Sequence, residues 1–356
     1  MEILTNAGRG REDAIAGLED VPAPSVDVDA VLSLLGQCPA AEPTPLREAT
    51  GLARSAGVQS LHVKDERTRM GLGSFKALGA AYVVAREAME TGSDEPARAL
   101  EGVTYVTASA GNHGLSVAAG ARIFGARAAV YIAETVPEGF ADRLRAKGAE
   151  VMRAGADYEA SMAAAQAAAE ANGWRLLSDS SWSGYMVRPW RLMEGYLALM
   201  EEVFAQMPAP PTHVFLQAGV GGLAAAAAAL ARSVWRDGPA IVVVEPSQAA
   251  ALQGSIRAGA AVQARGGVSS MGRLDCKMPS LIALKGLSRD ADVFVTIDDG
   301  DVEAVLPRLA DAGLATTPSG AAGLAVPLTA SAAQKSALGL GPQSRILAIL
   351  SEEAEA

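Results

Sequence analysis

Short runs rich in Val, Ile and Leu recur along this chain, separated by long alanine-rich stretches, and few folds accommodate that alternation. Segments such as Val103–Ala108, Ile241–Glu245 and Arg345–Leu350 have the apolar, β-branched content of strands buried on both faces. The stretches between them favour helix, because alanine has the highest helix propensity. Strand and helix in alternation give the α/β class, a mostly parallel sheet flanked by helices. Strands are predicted at Ser60–Lys64, Val103–Ala108, Ala128–Ala133, Glu150–Arg153, Thr212–Gln217, Ile241–Glu245, Val293–Ile297 and Arg345–Leu350. Helices are predicted at Phe75–Glu90, Asn112–Phe124, Phe140–Lys147, Tyr158–Ala171, Val187–Gln206, Leu223–Arg232 and after Gly320. Met1 to about Ser25 mixes Gly, Pro and charge without a period and reads as an irregular arm.

Charge and composition remove several function classes. Thirty basic residues against forty acidic ones leave a formal charge of −10 in 356 residues, a field that repels phosphate backbones, so nucleic acid is not an expected partner. The uncharged stretch Val214–Ala231 falls short of the roughly 20 residues a membrane span needs and contains Gln217. The N-terminus lacks the apolar core of a secretory signal, which points to the cytoplasm. Cys38 and Cys276 are too few for a disulfide framework or a metal site; each is expected to be a small buried apolar residue.

Three segments carry chemistry. Lys64–Ala80, KDERTRMGLGSFKALGA, places Lys76 after a small-residue turn and just inside a predicted helix. Burial and the positive end of that helix would both favour the neutral amine that a Schiff-base lysine needs. Thr107–Gly114, TASAGNHG, follows a strand and opens a helix, so its backbone N–H groups can converge on a carboxylate. His113, like His62 and His213, reads as a packing residue. Gly219–Gly222, GVGG, again joins strand to helix and leaves room for a phosphate. A rival reading exists: Gly219, Gly221 and Ala224 also fit the dinucleotide pattern, with Glu245 as the ribose-binding acid of a nicotinamide-dependent dehydrogenase.

The combination of SFK, SAGNHG and GVGG resembles the fold-type II pyridoxal-phosphate enzymes, the tryptophan synthase β-like superfamily, over nearly the whole chain from Pro43 to Ser351. That resemblance implies a two-domain α/β fold, each domain a mostly parallel sheet flanked by helices. The larger domain would comprise 1–78 and 192–356, the smaller 79–191, and the protein would be a homodimer. It implies that Lys76 holds the cofactor aldehyde with Phe75 beside it. Asn112 would contact the ring oxygen, and Gly219, Val220, Gly221 and Gly222 the phosphate. Ser351 would face the pyridine nitrogen, with Ser319 as the alternative, and Ser109, Ala110, Gly111 and Tyr185 would meet the substrate.

Within the superfamily the likeness is strongest to the diaminopropionate ammonia-lyases, through KDERTRMGL and the Asp179–Tyr196 segment DSSWSGYMVRPWRLMEGY. It implies α,β-elimination from 2,3-diaminopropionate or a related β-substituted L-amino acid, giving a 2-oxo acid and ammonia, with Asp179 as proton acceptor. Asp179 could instead cap a helix starting near Ser180. The family's aspartate before GNHG, which serves the D-isomer, is Ala110 here, and GRLDCKM around Arg273 departs from the usual wording. Those departures keep a serine, threonine or 3-hydroxyaspartate dehydratase as the alternative. Asp65 or Glu66 could add negative charge for a leaving ammonium, Arg69 and Arg273 could bind a second carboxylate, and Trp182 with Tyr185 could wall the pocket. Each of these also has a plain reading, as surface charge or core.

Overall fold

The computed structural model describes residues 1–109 and 111–354; Ala110, expected at the substrate, lies outside them. Eleven strands are numbered in chain order: β1 Glu2–Thr5, β2 Leu46–Glu48, β3 Ser60–Asp65, β4 Thr104–Ala108, β5 Arg127–Ile132, β6 Ala149–Arg153, β7 Arg175–Leu176, β8 His213–Gln217, β9 Ala240–Pro246, β10 Val293–Ile297 and β11 Arg345–Leu350. They form two sheets, a seven-stranded one in the order β1-β10-β9-β8-β11-β3-β2 and a four-stranded one in the order β6-β5-β4-β7. The four-stranded sheet is wholly parallel. In the larger sheet only the edge pairs β1–β10 and β2–β3 are antiparallel. The α/β reading and all eight expected strands hold. The irregular-arm reading holds for Asn6–Ser25 but not for Glu2–Thr5, which adds to the edge of β10 in register Glu2 to Thr296.

The same sequence logic explains the core. β8, β9 and β11 are buried along almost their whole length, as strands covered on both faces must be. The helix Gly222–Trp235 covers β8 with ten consecutive buried residues, Gly222 to Ala231. Small alanine side chains let it lie close to the sheet and to the helix Leu281–Asp290.

One expected helix is two. Val187–Gln206 breaks at Tyr196 into Val187–Gly195 and Leu197–Gln206. The first piece packs tightly on the helix Lys76–Met89: a Cβ on Gly195 would stand 2.4 Å from the Leu78 carbonyl oxygen, and one on Gly79 would stand 2.7 Å from Tyr196 Cε1. This close crossing, possible only with glycine on both faces, seats the Tyr196 ring one turn beyond Lys76.

Parallel strands direct their carboxyl ends to one side, where α/β sites form. The turns after β4, β8 and β11 bring Ser109, Gly219 and Ser351 there. The SFK segment is pinned to the end of β11, since Ser74 bridges Glu352 and the Phe75 N–H donates to the Ser351 carbonyl oxygen at 3.1 Å.

Candidate active site

Lys76 is the first residue of its helix, with its N–H donating to the Ser74 hydroxyl at 3.3 Å. Its ammonium meets the carboxylate of Asp179 in direct contact. The two side chains are 22% and 19% exposed, a partly accessible pair rather than a sealed one. Burial alone would lower the Lys76 pKa, but the adjacent Asp179 carboxylate outweighs it and holds the amine protonated well above its ordinary range. The expected neutral amine is therefore corrected. Asp179 responds in kind: burial would raise its pKa, and the Lys76 charge holds it well below the carboxylate range.

Asp179 caps no helix, because the next one starts at Val187. Between them Trp182 and Tyr185 exchange backbone hydrogen bonds and stack at 4.4 Å. The Tyr185 hydroxyl donates to the Leu176 carbonyl oxygen at 2.9 Å and accepts from the Ser178 N–H at 3.0 Å. Its geometry braces the segment that carries Asp179, where a substrate contact was expected. His113 braces the same segment, donating from Nε2 to the Leu177 carbonyl oxygen at 2.8 Å, and burial holds the ring neutral.

Asn112 opens the helix Asn112–Ile123 and is buried. Its Nδ2 donates to Glu352 Oε2 at 2.8 Å, a partner that sequence reasoning missed. The other oxygen of Glu352 accepts from Arg273 Nη1 at 2.6 Å and from the Thr317 hydroxyl. Arg273 is therefore no solvated surface cation; its Nε lies 3.8 Å from where a Cβ on Gly111 would stand, beside the SAGNHG loop. Ser109 shapes that loop by accepting from the N–H groups of Gly111 and Gly114 at 3.2 and 3.1 Å. Of the two candidate hydroxyls, Ser319 accepts from the Arg273 N–H at 3.1 Å. Ser351 is buried at the end of β11.

The GVGG loop turns at Gly221, whose φ of +97° is open to glycine and closed to most other residues. The turn points the N–H groups of Gly221 and Gly222 out of the start of a 14-residue helix, and no oxygen of the described residues accepts them. Cys276 lies against this loop, its Sγ 3.0 Å from where a Cβ on Gly219 would stand, and burial with the nearby Asp179 pushes its thiol up to about 12. The cysteine is half-buried at the site, not a core filler.

Other expected site charges lie elsewhere. Asp65 accepts from Arg47 and Arg67, both at 2.7 Å. Glu66 is paired with Arg69, which is 1% exposed and also held by Glu202. Neither a leaving-group role nor a surface position describes these residues. Glu245 is fully buried and accepts from the N–H groups of Leu252 and Gln253 at 2.7 and 2.8 Å, so it caps the following helix and is not presented to a ribose.

A helix-terminal cradle whose N–H groups no oxygen of the described residues accepts, a lysine facing an acid, and a serine at the end of β11 suit a phosphorylated pyridine aldehyde. Comparison with known proteins agrees: residues 38–352 match the family described as pyridoxal-phosphate dependent enzyme. The chain belongs to that family. Its cofactor is pyridoxal phosphate, and its fold is that of the fold-type II enzymes. It is 31% identical over 277 residues to the diaminopropionate ammonia-lyase of Salmonella typhimurium, covering 72% of this chain and 69% of the relative. It is 32% identical over 271 residues to that of Escherichia coli K12, covering 72% and 68%. The crystal structure of the Escherichia coli diaminopropionate ammonia lyase in complex with D-serine superposes with a TM-score of 0.87 at 28% identity, over 99% of this chain and 93% of that one. No helix of the described residues is long and apolar enough to cross a membrane.

Proposed function

We propose that this protein is a pyridoxal-phosphate-dependent ammonia-lyase, a carbon–nitrogen lyase that eliminates the β-amino group of 2,3-diaminopropionate or a related β-substituted amino acid. The observation that carries the reading is the direct contact of Lys76 with Asp179. The SFK lysine and the acid of DSSWSGY, 103 residues apart, meet in direct contact.

Lys76 would hold the aldehyde, the Gly219–Gly222 turn the phosphate, Asn112 the ring oxygen and Ser351 the pyridine nitrogen. When bound, the cofactor accepts the electron pair left at the α-carbon, which makes the α-proton removable. Asp179, ionised across the neutral range beside Lys76, is the acceptor for that proton. An ammonium at the β-carbon would also be held by this carboxylate until the amine departs. The N–H groups opening the helix at Asn112 and the neighbouring Arg273 suit the α-carboxylate. For 2,3-diaminopropionate and one water, the products are pyruvate and two ammonia.

With Asp179 the only acid of the pair of proton acceptors, Ala110 replacing the other, the L-isomer is the proposed substrate. Segments 1–78 and 192–356 are proposed as the larger domain, 79–191 as the smaller, in a cytoplasmic homodimer of amino-acid catabolism. Size-exclusion chromatography with light scattering tests the assembly.

Purified protein loaded with the cofactor should release a 2-oxo acid and ammonia fastest from L-2,3-diaminopropionate, as pyruvate, in a panel with the D-isomer, L-serine, L-threonine and 3-hydroxyaspartate. A higher kcat/KM for a hydroxy amino acid makes the protein a dehydratase instead. Lys76→Ala should abolish both turnover and borohydride-fixed labelling of the Lys76 peptide.

A further inference from the structure

Tyr196 is 2% exposed, and its hydroxyl is a buried polar atom without a hydrogen-bond partner among the described residues. Such a group is uncommon, because desolvating a hydroxyl without a compensating bond is unfavourable. The fold holds it there firmly. Its ring packs edge-on against Phe75 at 5.0 Å, fits the space left by Gly79, and has its Cε2 3.8 Å from where a Cβ on Gly222 would stand. The phenol therefore stands between the first turn of the Lys76 helix and the N-terminus of the Gly222–Trp235 helix. At that N-terminus the Gly221 and Gly222 N–H groups also have no oxygen acceptor among the described residues.

Donors without acceptors converging at a positive helix end define an anion site. We infer that the Tyr196 hydroxyl is a further donor to the cofactor phosphate, completing from a side chain the cradle that the glycine turn begins with backbone. This rests on the pyridoxal-phosphate reading above and adds a residue to it. Burial keeps the phenol protonated well above its usual range, so it remains a donor at every working pH.

The test compares Tyr196→Phe with wild type, both stripped of cofactor, by absorbance titration with pyridoxal phosphate and separately with pyridoxal, which lacks the phosphate. Tyr196→Phe should weaken pyridoxal phosphate about ten- to a hundredfold, the loss of one hydrogen bond to a charged group. Pyridoxal affinity should stay within about twofold, since that ligand brings no phosphate for the hydroxyl to meet. The stripped variant should melt no lower than stripped wild type, because the hydroxyl it removes has no protein partner. Equal losses for both ligands, no loss for either, or a lower melting temperature of the stripped variant would each overturn the assignment. A wild-type protein that takes up neither ligand overturns the cofactor reading itself, an outcome distinct from these.

Discussion

Two buried polar clusters of this protein are built from similar residues and differ in how completely they are satisfied. In the first, Lys64 donates to Glu202 at 2.6 Å and to the Thr44 carbonyl oxygen at 2.6 Å, while Arg69 divides its guanidinium among Glu66, Glu202 and Thr44. Every charge there has an opposite charge and further hydrogen bonds. In the second, around Lys76, the ion pair is about a fifth exposed, and Tyr196 Oη and His113 Nδ1 have no partner among the described residues. A complete network fixes chain segments; an incomplete one keeps donors and acceptors for a ligand. The contrast tells structural charges from functional ones, which residue identity alone does not.

Substitutions in the two clusters should therefore fail differently. Asp179→Asn should lower kcat by about 10²- to 10⁴-fold, the usual worth of a positioned acid or base, with the cofactor still bound. Its thermal stability should change little, because the pair is partly solvated. Arg69→Met should do the reverse. Leaving Glu66 buried without its cation, while Glu202 keeps Lys64, costs about 3–5 kcal/mol by urea denaturation, and turnover per folded molecule is retained. An Arg69→Met protein that is stable but inactive would place that cluster in the catalytic machinery.

The strand pattern was legible because Val, Ile and Leu runs buried on both faces admit few alternatives, and β8, β9 and β11 lie where their composition put them. The short edge strands β1, β2 and β7 were not, since two to four residues with polar members carry no period. Lys76, Asp179 and the GVGG turn were legible as motifs. Tyr196 was hidden inside what reads as one continuous helix, although Gly195 in its interior was a signal that the helix breaks or packs closely. Glu66 and Arg69 carry the same letters as surface charges, and only burial distinguishes them. Glu352 stood beside the expected Ser351 but at the head of an acidic tail, where an acid is unremarkable.

Glu352 sharpens the comparison because it belongs to both kinds of cluster. It is satisfied by Arg273, Thr317 and Asn112, yet Asn112 is expected at the cofactor ring. Glu352→Gln keeps the shape and removes the charge, so Arg273 loses this carboxylate and Asn112 one strong acceptor. Cofactor affinity should fall about tenfold, equivalent to about 1.4 kcal/mol. The absorption spectrum of the bound cofactor should shift as the ring-oxygen contact loosens, a change that a purely structural anchor would not cause.

Glu245 offers the smallest and most graded test. Its carboxyl is buried without a cation among the described residues; the backbone N–H groups of Ala251, Leu252 and Gln253 favour its charged form, but burial outweighs them and pushes its pKa up to about 8. The unfolded chain releases this proton near the ordinary value of 4.5, so between those limits the folded state holds more protons than the unfolded one. Stability should therefore fall as pH rises through that window, by at most about 1.4 kcal/mol per pH unit from this group. Glu245→Gln cannot ionise and should show a shallower decline in urea midpoint between pH 5.5 and pH 7.5, values chosen to lie roughly inside the window. Equal slopes for the two proteins would mean that the Leu252 and Gln253 N–H groups hold the carboxylate ionised in the interior. Hydrogen bonds alone, without a counterion, would then satisfy a buried charge as fully as Arg69 satisfies Glu66.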